Sequence, residues 1–240
     1  MTGLVVITRP RDEADALATQ LARLGYATLI EPMLDIVPMP EPIPPLEPYR
    51  ALAFTSANGV RGFVGKSGER NMPAYAVGGR TAEALRAAGF TSIREAEGDA
   101  EGMAALIGAT LGTAGPVLHV TGKAVARDLA SLLRPSGIAV DRLTLYDAVP
   151  AKNLSAPLVE ALYARTIACV LFLSVRTART FGTLLREHGL ADMITSSSAL
   201  CLSEPIAAEA ASLPWRQVRT AARPTADALL ALLAEPNDGA

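Results

Sequence analysis

The sequence predicts an α/β protein of two similar domains, each a parallel β-sheet flanked by helices in a flavodoxin-like manner, joined by a two-stranded β-ladder. Three observations predict it. Short runs rich in Val, Ile, Leu and Phe alternate with helical patterns along nearly the whole chain. Several segments of the first half recur in the second. A proline-rich stretch interrupts the alternation once, beside one of two similar segments that end in DIVP and DAVP. Strands that are apolar on both faces and alternate with helices belong to parallel sheets covered on either side.

The elements follow in order. "LVVIT" (4–8) reads as a strand, and the helix after it takes Thr8 as cap, with Pro10, Asp12 and Glu13 in its first turn. Ala14, Leu17, Ala18, Leu21 and Leu24 keep helical spacing, and Gly25 sits at the stop. "YATLIEP" and "LDIVP" are extended, and "MPEPIPPLEPY" (39–49) is a loop, because proline removes the backbone donors that a helix or central strand needs. Strands are then expected at 51–55, 74–78, 92–97 and 116–121, with helices at 57–65, 81–89, 100–111 and 123–134. "AVDRL" and "LYDAVP" read as two further strands. The last third repeats the style, with strands at 168–174, 199–203 and 217–221 and helices at 155–165, 176–187, 205–212 and 225–235. The tail "PNDGA" is expected to be loose.

The internal repeat has an unusual order. "LVVITRPRDEADALATQLARLG" (4–25) is echoed by "VLHVTGKAVARDLASLLRPSG" (117–137). "LAFTSANGVRGF" (52–63) is echoed by "VLFLSVRTARTF" (170–181), and "AYAVGGRTAEALRAAG" (74–89) by "ALCLSEPIAAEAASLP" (199–214). Two consecutive half-chains would each make a domain with one crossing between them. The preferred division is discontinuous: 1–36 plus 149–240 as domain 1 and 37–148 as domain 2. The linker strands then lie side by side near 31–38 and 143–150, with the proline cluster just after the first crossing.

Half the residues are hydrophobic and 19% are charged, which selects a folded globular protein over a disordered one. A net charge of −2 gives no general attraction to nucleic acid or an anionic membrane. No apolar run reaches membrane-spanning length, and "MTGLVVITRP" enters a strand pattern without a basic leader, so a cytoplasmic location is expected. Cys169 and Cys201 sit in apolar strand patterns and read as buried reduced thiols. Lysine is confined to Lys66, Lys123 and Lys152, so arginine dominates the basic residues. That bias fits either a GC-rich genome or bidentate carboxylate recognition.

The familiar fingerprints fail. "VTGKAVA" (120–126) lacks the first glycine and the Ser/Thr of a phosphate-binding loop, and "VGGRTA" (77–82) lacks dinucleotide-binding spacing. His119 and His188 have no partners at metal-binding spacing, and His119 reads as a core histidine with one hydrogen bond. What remains is a row of turns at the carboxyl ends of strands: Thr8-Arg9, Thr55 to Asn58, Gly78 to Thr81, Thr121 to Lys123, Ser174 to Arg176, and Ser203-Glu204. Each feeds a helix N-terminus. Together they offer backbone N–H groups, hydroxyls and cationic side chains at the ligand-bearing edge of a parallel sheet, which suits a large polyanion.

Taken together, "ITRP" with its helix, "FTSANGV", "AVGGRTAEALRAAGF", the tyrosine of "LTLYDAV", "FLSVRTARTF" and "RPTADALLALL" resemble the uroporphyrinogen-III synthase family. The resemblance runs through essentially the whole chain in order. It implies two α/β domains joined by a two-stranded ladder, with the middle block as one domain. It also implies a lyase (a hydro-lyase) that closes hydroxymethylbilane to uroporphyrinogen III, inverting ring D through a spiro intermediate, without metal or organic cofactor. The substrate is a polycarboxylate, and the enzyme that forms the bilane is a candidate partner; a monomer is expected. By resemblance Tyr146 is the catalytic residue, donating a hydrogen bond to the departing hydroxyl. Arg9, Ser56, Asn58, Gly78, Thr81, Lys123, Ser174, Ser203 and Thr225 are the expected substrate-binding positions. Ile206 and Ala207 stand where relatives often carry hydroxyls, and "SVRT" departs from the commoner turn. Two other readings remain: a non-catalytic two-domain anion-binding or sensor module, and a flavodoxin-like nucleotide enzyme.

Overall fold

A computed structural model describes residues 3–112, 115–124 and 127–234. It divides into two compact units, Met1–Asp35 with Val149–Ala240, and Ile36–Ala148. The elements in chain order are β1 (Leu4–Ile7), α1 (Arg11–Arg23), β2 (Thr28–Ile30) and β3 (Leu34–Pro38). The middle unit then holds β4 (Ala51–Phe54), α2 (Ala57–Val64), β5 (Ala74–Ala76), α3 (Gly79–Ala87), β6 (Ile93–Glu95), α4 (Ala100–Leu111), β7 (Val117–Gly122) and α5 (Leu129–Leu133). β8 (Val140–Pro150) leads out of it to α6 (Ala156–Tyr163), β9 (Ile167–Phe172), α7 (Val175–Glu187), β10 (Ser198–Cys201), α8 (Glu204–Ala210), β11 (Gln217–Thr220) and α9 (Ala226–Ala234).

The first unit carries a five-stranded parallel sheet in the order β2-β1-β9-β10-β11. The second carries β3-β8-β7-β4-β5-β6, parallel from β8 to β6. Along β3 and β8, Met39 N–H donates to Leu145 O at 2.9 Å and Ala151 N–H to Met33 O at 3.1 Å. Residue numbers rise on one strand as they fall on the other, so this pair is antiparallel.

The odd order of the sequence repeat now has a structural reason. β1 and β7 carry the first echoed pair of segments, β4 and β9 the second, and β5 and β10 the third. Laid over one another in that way, β2-β1-β9-β10-β11 and β8-β7-β4-β5-β6 are the same sheet. The chain enters them at different strands, so one unit is a circular permutation of the other. In both, strand order reverses between the two matched central strands, β1 beside β9 and β7 beside β4. The carboxyl ends of such strands are where open α/β sheets hold ligands.

The echo extends to packing. Phe54 at the end of β4 and Phe63 on α2 meet edge to face at 5.7 Å between centroids. Phe172 and Phe181 do the same at 5.5 Å. Each pair locks its helix onto its strand, an arrangement worth about 1 kcal/mol beyond the area it buries. Side chains alternate across each strand, yet both faces are covered. Val5, Ile7, Cys169, Leu171 and Leu200 pack on one side of the first sheet, and Val6, Val170, Phe172, Ala199 and Cys201 on the other. The two thiols therefore lie in different core layers, and burial raises the pKa of each to about 12.

Several expectations need correction. Thr8 does not cap α1; Pro10 holds that position without a side-chain bond, and the buried Thr8 hydroxyl donates to Leu171 O on β9 at 2.8 Å. Sealing a strand end in the core outcompetes a cap available to solvent. The helix expected over 123–134 is shorter, because Asp128 caps α5 through the N–H groups of Ala130 and Ser131; residues 125–126 lie outside the described residues. "AVDRL" and "LYDAVP" form one continuous strand, β8. Ile206 and Ala207 are core residues of α8, buried in the same cluster as Leu213. Residue 235, where the sequence pattern ends the last helix, and the tail 236–240 lie outside the described residues.

Candidate functional site

Two of the expected site residues meet directly. Ser56 ends the turn after β4 and caps α2, its Oγ accepting from Gly59 N–H at 3.1 Å. The same oxygen lies 2.8 Å from the Tyr146 hydroxyl on β8. The "TSANGV" turn therefore holds a phenol at the positive end of a helix. Gly59 fits the local packing too: a Cβ there would stand 3.0 Å from Val120 O, so glycine is what lets α2 lie this close to β7.

Tyr146 owes its position to a register shift and a second glycine. β7 and β8 pair evenly to Thr121↔Thr144, and then Gly122 faces Tyr146 with one extra residue on β8. Such a bulge re-aims a side chain. The phenol ring lies over the Gly122 α-carbon; a Cβ there would come within 2.6 Å of Tyr146 Cζ. Lys123 N–H closes the turn onto Tyr146 O at 2.9 Å. Arg142 Nη2 donates to Gly122 O at 2.7 Å and Lys123 O at 2.5 Å, fixing the same turn from the next strand.

A cavity of ≈ 380 Å³ opens beside this pair, with Thr55, Asp99, His119, Thr121, Arg127 and Tyr146 in its lining. Arg127 Nε pairs with Glu101 at 3.1 Å. Thr55 Oγ1 lies 3.1 Å from His119 Nε2 and donates to Thr121 Oγ1 at 3.3 Å. His119 is only 3% exposed. Its pKa falls to about 4, chiefly through burial, with the Arg142 guanidinium adding to the effect and Asp128 opposing it.

That shift sets an acid limit on stability. The unfolded chain takes up the imidazole proton near the ordinary value of 6.5, the fold only near 4. Folding stability therefore falls as pH drops from 6.5 to 4, by about 3 kcal/mol in all. Urea midpoints measured across that range should decline for the wild type, and His119→Gln should flatten that part of the profile.

The other expected positions are placed as follows. Asn58 is buried in α2, its Oδ1 accepting from Arg61 Nη2 at 2.5 Å. Gly78 precedes α3 with open space around its α-carbon, and Thr81 is buried in the first turn, its N–H reaching Gly78 O at 3.0 Å. The Lys123 ammonium pairs with Asp147 at 3.4 Å. These belong to the unit that carries Tyr146. Arg9, Ser174, Ser203 and Thr225 belong to the other. There Ser174 caps α7 through Thr177 N–H at 3.1 Å, the counterpart of Ser56 in the repeat. Ser203 precedes α8 without a side-chain cap, and Thr225 Oγ1 accepts from Ala228 N–H at 3.3 Å. Arg9 pairs with Glu13 at 2.5 Å, and burial lowers its pKa against the pull of that carboxylate. An anion at Arg9 would have to compete with Glu13.

Sequence reasoning passed over Gly122 as the seat of the phenol and Thr55 as the partner of His119. The glycine of "VTGK" was visible, but its meaning depends on the β7–β8 register. Among the described residues, no group of three or more His, Cys, Asp or Glu is placed to hold a metal, and no helix is long and apolar enough to cross a membrane.

Comparison with known proteins agrees along the chain. The family described as uroporphyrinogen-III synthase HemD matches residues 15–231. The porphyrin biosynthesis protein HemD of Ruminiclostridium josui is 24% identical over 250 residues, covering 98% of this chain. The chain spans about half of that relative, 49% of its length. The crystal structure of uroporphyrinogen-III synthetase from Helicobacter pylori superposes with a TM-score of 0.67 at 20% identity, covering 98% of this chain and 99% of that one. A mutant uroporphyrinogen III synthase from Thermus thermophilus gives 0.51 at 19% identity, covering 97% of each chain. At these identities the structural likeness carries the fold.

Proposed function

Because the chain belongs to the uroporphyrinogen-III synthase family, we propose that it cyclises hydroxymethylbilane to uroporphyrinogen III, as a hydro-lyase, with Tyr146 assisting departure of the terminal hydroxyl. The observation that carries the role of Tyr146 is its 2.8 Å bond to the Ser56 hydroxyl at the N-terminus of α2. Ser56 Oγ already accepts from Gly59 N–H. Its own proton can then go to the Tyr146 oxygen, so that the phenol proton can turn to substrate. The positive helix end and the accepted N–H both strengthen that donation.

The chemistry balances as a loss of water. The C–O bond of the hydroxymethyl group breaks as Tyr146 supplies a proton to the leaving oxygen, giving an azafulvene cation. The substituted carbon of ring D attacks to form the spiro intermediate. Its original bond to the bridging methylene then breaks, ring D recloses through its other side, and the ring carbon loses a proton. The bilane closes unaided to the uninverted isomer, so the enzyme's task is positioning more than lowering a barrier. This suits a site without a dedicated acid/base pair. In the unit that carries Tyr146, the helix N-terminus after Gly78 and the Lys123 ammonium are the proposed carboxylate contacts. Incubation with enzymatically made bilane, followed by separation of the isomers, tests the reading; isomer III is the expected product.

A further inference from the structure

We infer that His119 is a positioning residue for this reaction, holding Tyr146 in place through Thr55 and the turn that carries Ser56. The inference rests on the proposed cyclisation. Thr55 has a single hydroxyl proton, which goes to Thr121 Oγ1 at 3.3 Å. Its contact of 3.1 Å with His119 Nε2 is therefore one in which the imidazole donates. A neutral imidazole with its proton on Nε2 meets that need, and the near-complete burial of His119 keeps the ring neutral. The register puts His119 opposite Ala53 on β4 and Arg142 on β8, so the ring projects along the face that continues to Thr55 and Thr121. Thr55 is thus held from the neighbouring strand at two points. The next residue, Ser56, has its oxygen engaged by Gly59 N–H and Tyr146 OH. Any rotation at Thr55 is passed through one peptide unit to the group that orients the phenol. His119, Thr55 and Tyr146 also line one cavity.

His119→Asn and His119→Gln separate positioning from bulk packing, since the glutamine amide reaches the place of Nε2 and the asparagine amide does not. Asparagine should lower kcat about five-fold or more with KM within about two-fold, and glutamine should retain most of kcat. On a Tyr146→Phe background the asparagine change should add nothing, because an effect routed through Tyr146 disappears with it. Thr55→Val cuts the same bond from the other side and should behave like asparagine, which keeps the test open if either variant folds poorly. A readout independent of turnover is the ring carbon signal of Tyr146 in protein labelled with ¹³C-tyrosine, assigned by its loss in Tyr146→Phe. That signal should move in His119→Asn and Thr55→Val and stay in His119→Gln. An unmoved signal, or losses that multiply on the Tyr146→Phe background, overturns the inference. Absence of isomer III from wild-type protein would instead overturn the proposed function, and the Tyr146 signal would still decide whether His119 sets that ring.

Discussion

Tyr146→Phe is expected to lower the rate of isomer III formation ten-fold or more, equivalent to about 1.4 kcal/mol in the barrier. The reason is local. The substitution keeps the ring seated on Gly122 and removes only the hydroxyl that Ser56 holds at 2.8 Å. Binding should change little, because the proposed carboxylate contacts are made by other groups and the bond from Lys123 N–H to Tyr146 O does not involve the hydroxyl that is removed. The loss should therefore fall on kcat, the signature of an interaction made mainly in the transition state. Fold stability should drop by no more than about 1 kcal/mol, the usual contribution of one hydrogen bond. An unchanged rate with an unchanged isomer ratio would remove Tyr146 from the mechanism.

Gly122→Val is expected to be at least as damaging, for a different reason. A Cβ at this position meets Tyr146 Cζ at 2.6 Å, Cε2 at 2.7 Å and the hydroxyl at 3.0 Å, too close for the ring to stay. The ring must leave its seat, taking its oxygen away from Ser56. Overpacking of this kind typically costs about 1–3 kcal/mol of stability. Activity should fall at least as far as in Tyr146→Phe, and the isomer ratio should shift toward the unassisted product. Combining the two substitutions should cost less than their sum, because phenylalanine has no hydroxyl left to misplace. Calorimetry and isomer analysis of the single and double variants check both statements.

These effects separate what the sequence could reveal from what it could not. Strand and helix alternation was readable because both faces of each sheet are buried: "LVVI", "ALAF" and "IACVLF" are apolar at successive positions. The echo of "LAFTSANGVRGF" in "VLFLSVRTARTF" was readable because equivalent Phe pairs and Ser caps make the same local contacts. The reason for the scrambled order of the echoes was not readable, since a circular permutation shows only once strand neighbours are known. Thr8 misled because a hydroxyl before a helix pattern looks like a cap, whereas a buried strand end requires its proton to meet Leu171 O. Asp128 was a better cap than the sequence pattern suggested, and it delayed α5 to Leu129. Within the candidate site, Ser56 and Tyr146 were named from sequence, but their bond spans ninety residues and depends on a bulge between β7 and β8. His119 was rightly placed in the core; its value lies in which hydroxyl it meets.

The most direct measurement is the isomer composition formed from enzymatically generated hydroxymethylbilane as this protein is titrated in. The inverted isomer should rise with protein concentration until it displaces the product of unassisted closure. Formation of the uninverted isomer alone at every protein concentration, by a folded protein that still binds polycarboxylates, would contradict the proposed cyclisation and mark an anion-binding module instead.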